Sequence, residues 1–95
     1  MLAEMLKDLR EQSGLPQRKV AAMLDIDTAT YCKIERGAMS LKREHIPILA
    51  ELWNVEEEIL LKQWLAEKVA SLIEIEDSIA ADVLAMAQEI VSNHR

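Results

Sequence analysis

Apolar side chains recur at helical spacing through most of the chain, and the breaks in that rhythm predict six helices. Leu2, Met5, Leu6 and Leu9 fall on one face of a first helix over Leu2–Gln12. Gly14 ends it, at a position that favours a left-handed backbone. A second helix starts near Pro16, where the missing N–H costs nothing, and carries Val20, Ala21 and Leu24 inward. Ile26 sits in the tight turn that follows. A third helix runs from Thr28 to Arg36 with Tyr31 and Ile34 inward. Asp27 is its N-cap, able to accept from the amides of Ala29 or Thr30, and Gly37 is its stop. After the loop Ala38–Lys42 comes a fourth helix over Arg43–Trp53, with Pro47 in or just after its first turn and Asn54 closing it.

The rhythm lengthens beyond Val55. Glu56–Glu74 reads as one long helix with Ile59, Leu61, Trp64, Leu65, Val69, Leu72 and Ile73 on its apolar stripe. The run Glu56, Glu57, Glu58 suits a helix N-terminus, where the dipole favours negative charge. A last helix, over Asp77–Ser92, sets Ile79, Val83, Met86 and Ile90 at coiled-coil spacing, with Ala80, Ala81, Ala85 and Ala87 keeping its flanks thin. These elements predict an N-terminal domain over residues 1–55 and a helical hairpin over residues 56–95. The hairpin offers more apolar surface than a small bundle can cover. Leu61, Trp64, Leu65, Val69, Leu72, Ile79, Val83, Met86 and Ile90 are therefore expected to form a dimer interface. The alternative is that they fold back as extra core.

Composition narrows the class. Phe is absent and only Tyr31, Trp53 and Trp64 are aromatic, so the core is aliphatic. Two glycines and two prolines leave too few turn signals for a β fold, so the expectation is all-α. Cys32 is alone, which excludes an internal disulfide, and His45 and His94 lack neighbouring ligands, so neither a metal nor a cofactor is expected. No nucleophile–base pairing, glycine-rich phosphate loop or clustered carboxylate site is visible, which argues against an enzyme. Without an apolar run of about 18 residues or a secretory signal pattern, no membrane association is expected, and a cytoplasmic protein is. The net charge of −6 is uneven: residues 1–50 carry +1 and residues 51–95 carry −7. An acidic remote half weakens nonspecific attraction to nucleic acid without forbidding a specific site.

From Leu2 to Val55 the chain resembles the Cro/phage-repressor (Xre) helix-turn-helix family, whose fold is the lambda-repressor-like bundle. The residues that carry the likeness are Leu6–Glu11, Gly14, Leu15, Gln17, Val20, Ala21, Lys33–Gly37 and Leu49–Val55. The chain departs from the family at Pro16, where Ser or Thr is usual, and at Asp25, where the turn usually has glycine. The resemblance implies a duplex DNA partner, with the third helix in the major groove. Its base-facing candidates are Thr28, Ala29, Thr30, Cys32 and Lys33, a set that lacks side chains able to make paired contacts with one base. Gln17 is implied to grip a phosphate at the start of the second helix, and Arg18, Lys19, Arg36, Lys42 and Arg43 are further phosphate candidates. Arg10 and Glu35 match the positions of a partly buried ion pair with a structural role. Cys32 beside Lys33 also admits a redox reading, against which stands the ordinary incidental cysteine.

The function implied is a sequence-specific transcriptional regulator, acting as a homodimer on a near-palindromic operator and associated with the nucleoid when bound. Two alternatives stay open at this point. One is an antitoxin whose acidic C-terminal helices bind a basic toxin; the other is a protein-binding adaptor that has kept the fold and lost DNA binding. A protein partner, toxin or polymerase, is left open alongside DNA.

Overall fold

The first four helices all end in the same way. The computed structural model describes residues 1–94, without the side chains of residues 75–77. Its helices are α1 (Leu2–Ser13), α2 (Gln17–Met23), α3 (Thr28–Glu35), α4 (His45–Leu52), α5 (Glu57–Ile73) and α6 (Ala80–Asn93), with a 3₁₀ segment at Glu74–Ile79. No strand occurs among the described residues. Just past each of α1 to α4 one residue takes a left-handed backbone: Gly14 (φ 73°), Asp25 (φ 57°), Gly37 (φ 77°) and Asn54 (φ 51°). The next amide then closes onto a carbonyl of the last turn: Leu15 onto Arg10, Ile26 onto Ala21, Ala38 onto Lys33, Val55 onto Ala50. This Schellman closure satisfies carbonyls that a helix end leaves without partners. Glycine takes the conformation freely, and Asn and Asp tolerate it better than other side chains do.

Capping and proline set where α3 and α4 start. α3 begins at Thr28 because the Asp27 carboxylate accepts from the Thr30 amide at 2.7 Å. α4 begins two residues later than expected. A helix starting at Arg43 would ask Pro47 for an N–H to that residue's carbonyl; starting at His45 places Pro47 in the first turn, where none is needed. The break expected before α6 is instead bridged by the 3₁₀ segment, and α6 starts without a side-chain cap.

The chain forms two compact units, Met1–Leu65 and Ala66–Arg95. In the first, Leu2 and Leu6 of α1, Val20, Ala21 and Leu24 of the α2 segment, and Tyr31 and Ile34 of α3 share one core. Leu41, Ile46, Leu49 and Ala50 complete it from the loop and α4. The first turn of α5 belongs to this core: Leu60 is completely buried, and Leu61 and Trp64 pack half-buried against it. Two of the nine residues assigned to a dimer interface, Leu61 and Trp64, are thus committed within the first unit. The Trp64 indole N–H donates to the Leu41 carbonyl at 2.8 Å, and the Trp53 indole donates to Ser13 Oγ at 3.3 Å, tying the end of α4 to the end of α1.

The second unit is built differently. None of its described residues is buried. Val69, Leu72, Ile79, Leu84, Met86, Ile90 and Val91 are all exposed, Leu72 by 79 %. No helix among the described residues is long and apolar enough to cross a membrane.

Leu60→Ala is expected to cost about 2–5 kcal/mol in urea unfolding, as a cavity in a closed core does. Met23→Ala, at an exposed site on α2, is expected to stay within about 0.5 kcal/mol. Stability should also respond to His45, which is buried and whose pKa is lowered from 6.5, by burial first and by Lys42, against the pull of Glu44. The unfolded chain takes up this proton before the folded one. Stability is therefore whole above pH 6.5 and falls as pH drops from there through the folded value. A series of melting curves in which His45→Asn flattens that decline is the expected result.

Candidate nucleic-acid interface

α3 is held from behind by one buried carboxylate. Glu35 lies at its last turn with its side chain only 3 % exposed, and Arg10 of α1 meets it side-on, Nε to Oε2 at 2.7 Å and Nη2 to Oε1 at 3.1 Å. The third guanidinium nitrogen, Nη1, donates to the Leu15 carbonyl at 3.0 Å, so the same side chain pins the α1–α2 turn. Gln17, the first residue of α2, donates from Nε2 to Glu35 Oε1 at 3.2 Å and accepts at Oε1 from the Cys32 thiol at 2.8 Å. One ion pair and one amide therefore join α1, α2 and α3. The family resemblance anticipates the pair Arg10–Glu35; the link through Gln17 and Cys32 has no counterpart in the sequence pattern.

The charges in this cluster support each other. Burial works to raise the Glu35 pKa, but the hydrogen bonds and charge of Arg10, with the Tyr31 hydroxyl and Gln17 nearby, outweigh it and hold the carboxyl below its ordinary value. Arg10 is shifted upward in turn, chiefly by its bond to Glu35 and against burial. Tyr31 is completely buried beside them, and its hydroxyl makes no hydrogen bond of ordinary geometry among the described residues. Burial, and then Glu35, push its ionisation well above the usual phenol range.

With its inner side locked, α3 turns Thr28, Ala29 and Lys33 to solvent, while Thr30 and Cys32 are half-buried. Cys32 directs its thiol at Gln17. Around this surface lie Arg18 and Lys19 in the first turn of α2, Arg36 at the end of α3, and Lys42 and Arg43 in the loop after it. All five are exposed, and neither they nor Lys33 make an ion pair among the described residues. Lys62, by contrast, is paired with Glu58 along α5 at 3.2 Å. Gln17 keeps one amide hydrogen unspent, since the other goes to Glu35. The loop carrying Lys42 is itself held: its amide donates to His45 Nδ1 at 3.3 Å.

A helix fixed on its inner side, with short polar and apolar side chains facing out and flanking cations that form no close ion pair among the described residues, suits a polyanion with a groove. Hydroxyl, methyl and ammonium groups match base edges, and the flanking cations match phosphates. No group of three His, Cys, Asp or Glu side chains able to hold a metal ion occurs among the described residues.

Residues 6–60, more than half of the chain, match the profile of the helix-turn-helix family. No curated protein and no solved structure gives a significant match. The matched segment runs past Val55 into the turn of α5 that holds Leu60.

Removing one partner of the Arg10–Glu35 pair should be far worse than removing both. Arg10→Met alone is expected to cost on the order of 3–5 kcal/mol, because a carboxylate is left buried and unanswered. The double variant Arg10→Met with Glu35→Leu should recover most of that loss in the same chemical-denaturation assay. The pair's own contribution has a defined pH window. Glu35 is held below 4.5 in the fold, so its stabilisation is complete above that pH and is lost as pH falls through the folded value. The double variant should lack this acid-side decline.

Proposed function

The chain belongs to the helix-turn-helix family of the Cro/phage-repressor (Xre) type, a family of DNA-binding regulators, and from that premise we propose that it is a transcriptional regulator that binds a near-palindromic operator as a homodimer. One observation supports this reading above the others: Thr28, Ala29 and Lys33 of α3 face solvent while the inner side of the helix is fixed through Arg10, Glu35 and Gln17. In the proposed complex, α3 enters the major groove. Thr28 and Thr30 offer hydroxyls, Ala29 a methyl suited to thymine, and Lys33 an ammonium for guanine or a phosphate. Cys32 lines the same helix and steadies Gln17 from it. Arg18, Lys19, Arg36, Lys42 and Arg43, with the remaining amide hydrogen of Gln17, meet the phosphates.

This set of readers is short. Selectivity then draws on water, methyl contacts and the deformability of the duplex as much as on direct base pairing with side chains. The N-terminal half is only weakly basic, so affinity depends on two subunits engaging at once, with α3 helices in half-sites about 34 Å apart. The second unit supplies the reason to pair. Leu65, Val69, Leu72, Ile79, Val83, Met86 and Ile90 lie in or next to a segment without a buried residue, and apolar surface on that scale is stabilised by a partner. A second copy of the same chain meets that need with a self-complementary face.

Selection of bound sequences from a random duplex pool, at stated ionic strength, should recover an inverted repeat. Arg36→Ala should lower the slope of log affinity against log salt by about one unit without changing the selected sequence. Thr28→Val should change the selected sequence. Leu72→Glu should give a monomer by sedimentation equilibrium and reduce affinity for the paired site to that for a single half-site. A protein that sediments as a monomer at micromolar concentration and ignores every duplex in low salt would overturn the proposal.

A further inference from the structure

The Leu41–Lys42 peptide is gripped on both of its polar groups by side chains from different helices. Its carbonyl accepts from the Trp64 indole of α5 at 2.8 Å, and its N–H donates to His45 Nδ1 of α4 at 3.3 Å. We propose that Trp64 and His45 are positioning residues for DNA binding, holding this peptide plane so that Lys42 and Arg43 are aimed at phosphates before the duplex arrives. The inference rests on the DNA-binding reading above and extends it to two residues that touch no nucleic acid.

The chemistry of the two side chains supports the role. Leu41 itself is buried, so the peptide beside it cannot turn without leaving polar groups short of partners. Packing alone would be met at position 64 by Phe or Leu; Trp adds a donor, and it is half-buried with that donor on the carbonyl. His45 is buried with Nδ1 accepting, so its neutral ring carries the proton on Nε2. Glu44 and Lys42 are the charged groups that act on it. Lys42 and Arg43, by contrast, are exposed and unpaired. A long cation on a loose loop loses loop freedom as well as side-chain freedom when it meets a phosphate; fixing the peptide removes the first of those costs.

Two readouts separate this role from plain structural support. Amide exchange of Lys42 reports the grip without DNA: Trp64→Phe and His45→Leu should each speed it, and His45→Asn, whose Oδ1 stands near the lost acceptor, should restore protection. The slope of log affinity against log salt on a mixed-sequence duplex reports the aim. Trp64→Phe should reduce that slope by about one unit, and adding Lys42→Gln to it should reduce it no further. Loss of stability alone leaves the slope unchanged. If Trp64→Phe fails to fold, the pair His45→Leu and His45→Asn carries the same comparison. Wild-type slopes in folded Trp64→Phe and His45→Leu overturn the positioning role and leave the function standing. Failure of the unaltered protein to bind any duplex overturns both.

Discussion

A carboxylate cannot be buried in a small helical bundle unless other groups answer its charge, and the need to answer Glu35 organises three helices of this protein. Arg10 reaches it from α1 with two nitrogens and spends a third on the turn into α2; Gln17 reaches it from the first residue of α2. Such pairs contribute little net stability over an apolar replacement, but they penalise every arrangement in which one partner is misplaced. Here that penalty falls on rotations or slides of α3, the helix that turns Thr28, Ala29 and Lys33 to solvent. The aliphatic core around Leu6, Val20 and Leu49 tolerates small shifts more readily than a two-pronged Arg–carboxylate contact does. Stability comes mainly from the core, and the pose of α3 comes from the charge.

The two halves of the chain solve opposite problems. In the first unit Leu6, Val20, Tyr31, Ile46, Leu49 and Leu60 are fully covered, and the side chains around α3 that remain exposed include the Thr28 hydroxyl and cations without an ion pair among the described residues. In the second, the uncommitted groups are Leu, Ile, Val and Met, on a segment that is strongly acidic. Net acidity discourages loose attraction to any polyanion, so that in the proposed complex tight binding would draw on the contacts of α3 and a second subunit together. On the proposed reading, the exposed apolar side chains and the modest basic footprint are complementary features: each subunit alone would bind weakly, and a pair would select.

Local signals made much of this legible. Gly14 and Gly37 mark helix ends, Asp27 marks a start, and the spacing of Leu2, Leu6, Val20, Tyr31 and Ile34 picks out the core side of three helices. The pair Arg10–Glu35 was legible through family likeness alone, since nothing in the periodicity joins positions so far apart. What periodicity could not reveal were side-chain bonds between distant elements: Cys32 to Gln17, Trp53 to Ser13, Trp64 to Leu41. Trp64 and Leu61 sat on an apolar stripe that looked uniform along α5. Which part of that stripe turns to its own bundle depends on where Leu60 enters the core, and that is a tertiary fact. Likewise, Pro47 was expected to be tolerated near a helix start, but the start moved to suit the proline.

Trp64, which donates to the Leu41 carbonyl, lies four residues beyond the segment by which the family is recognised. Recombination that exchanged the recognisable module at its edge would carry over α3, its capping aspartate and its ion pair, yet leave behind the anchor of the neighbouring loop. Grafts or gene fusions joined at residue 60 would keep the matched segment and lose the indole that holds the Leu41 carbonyl.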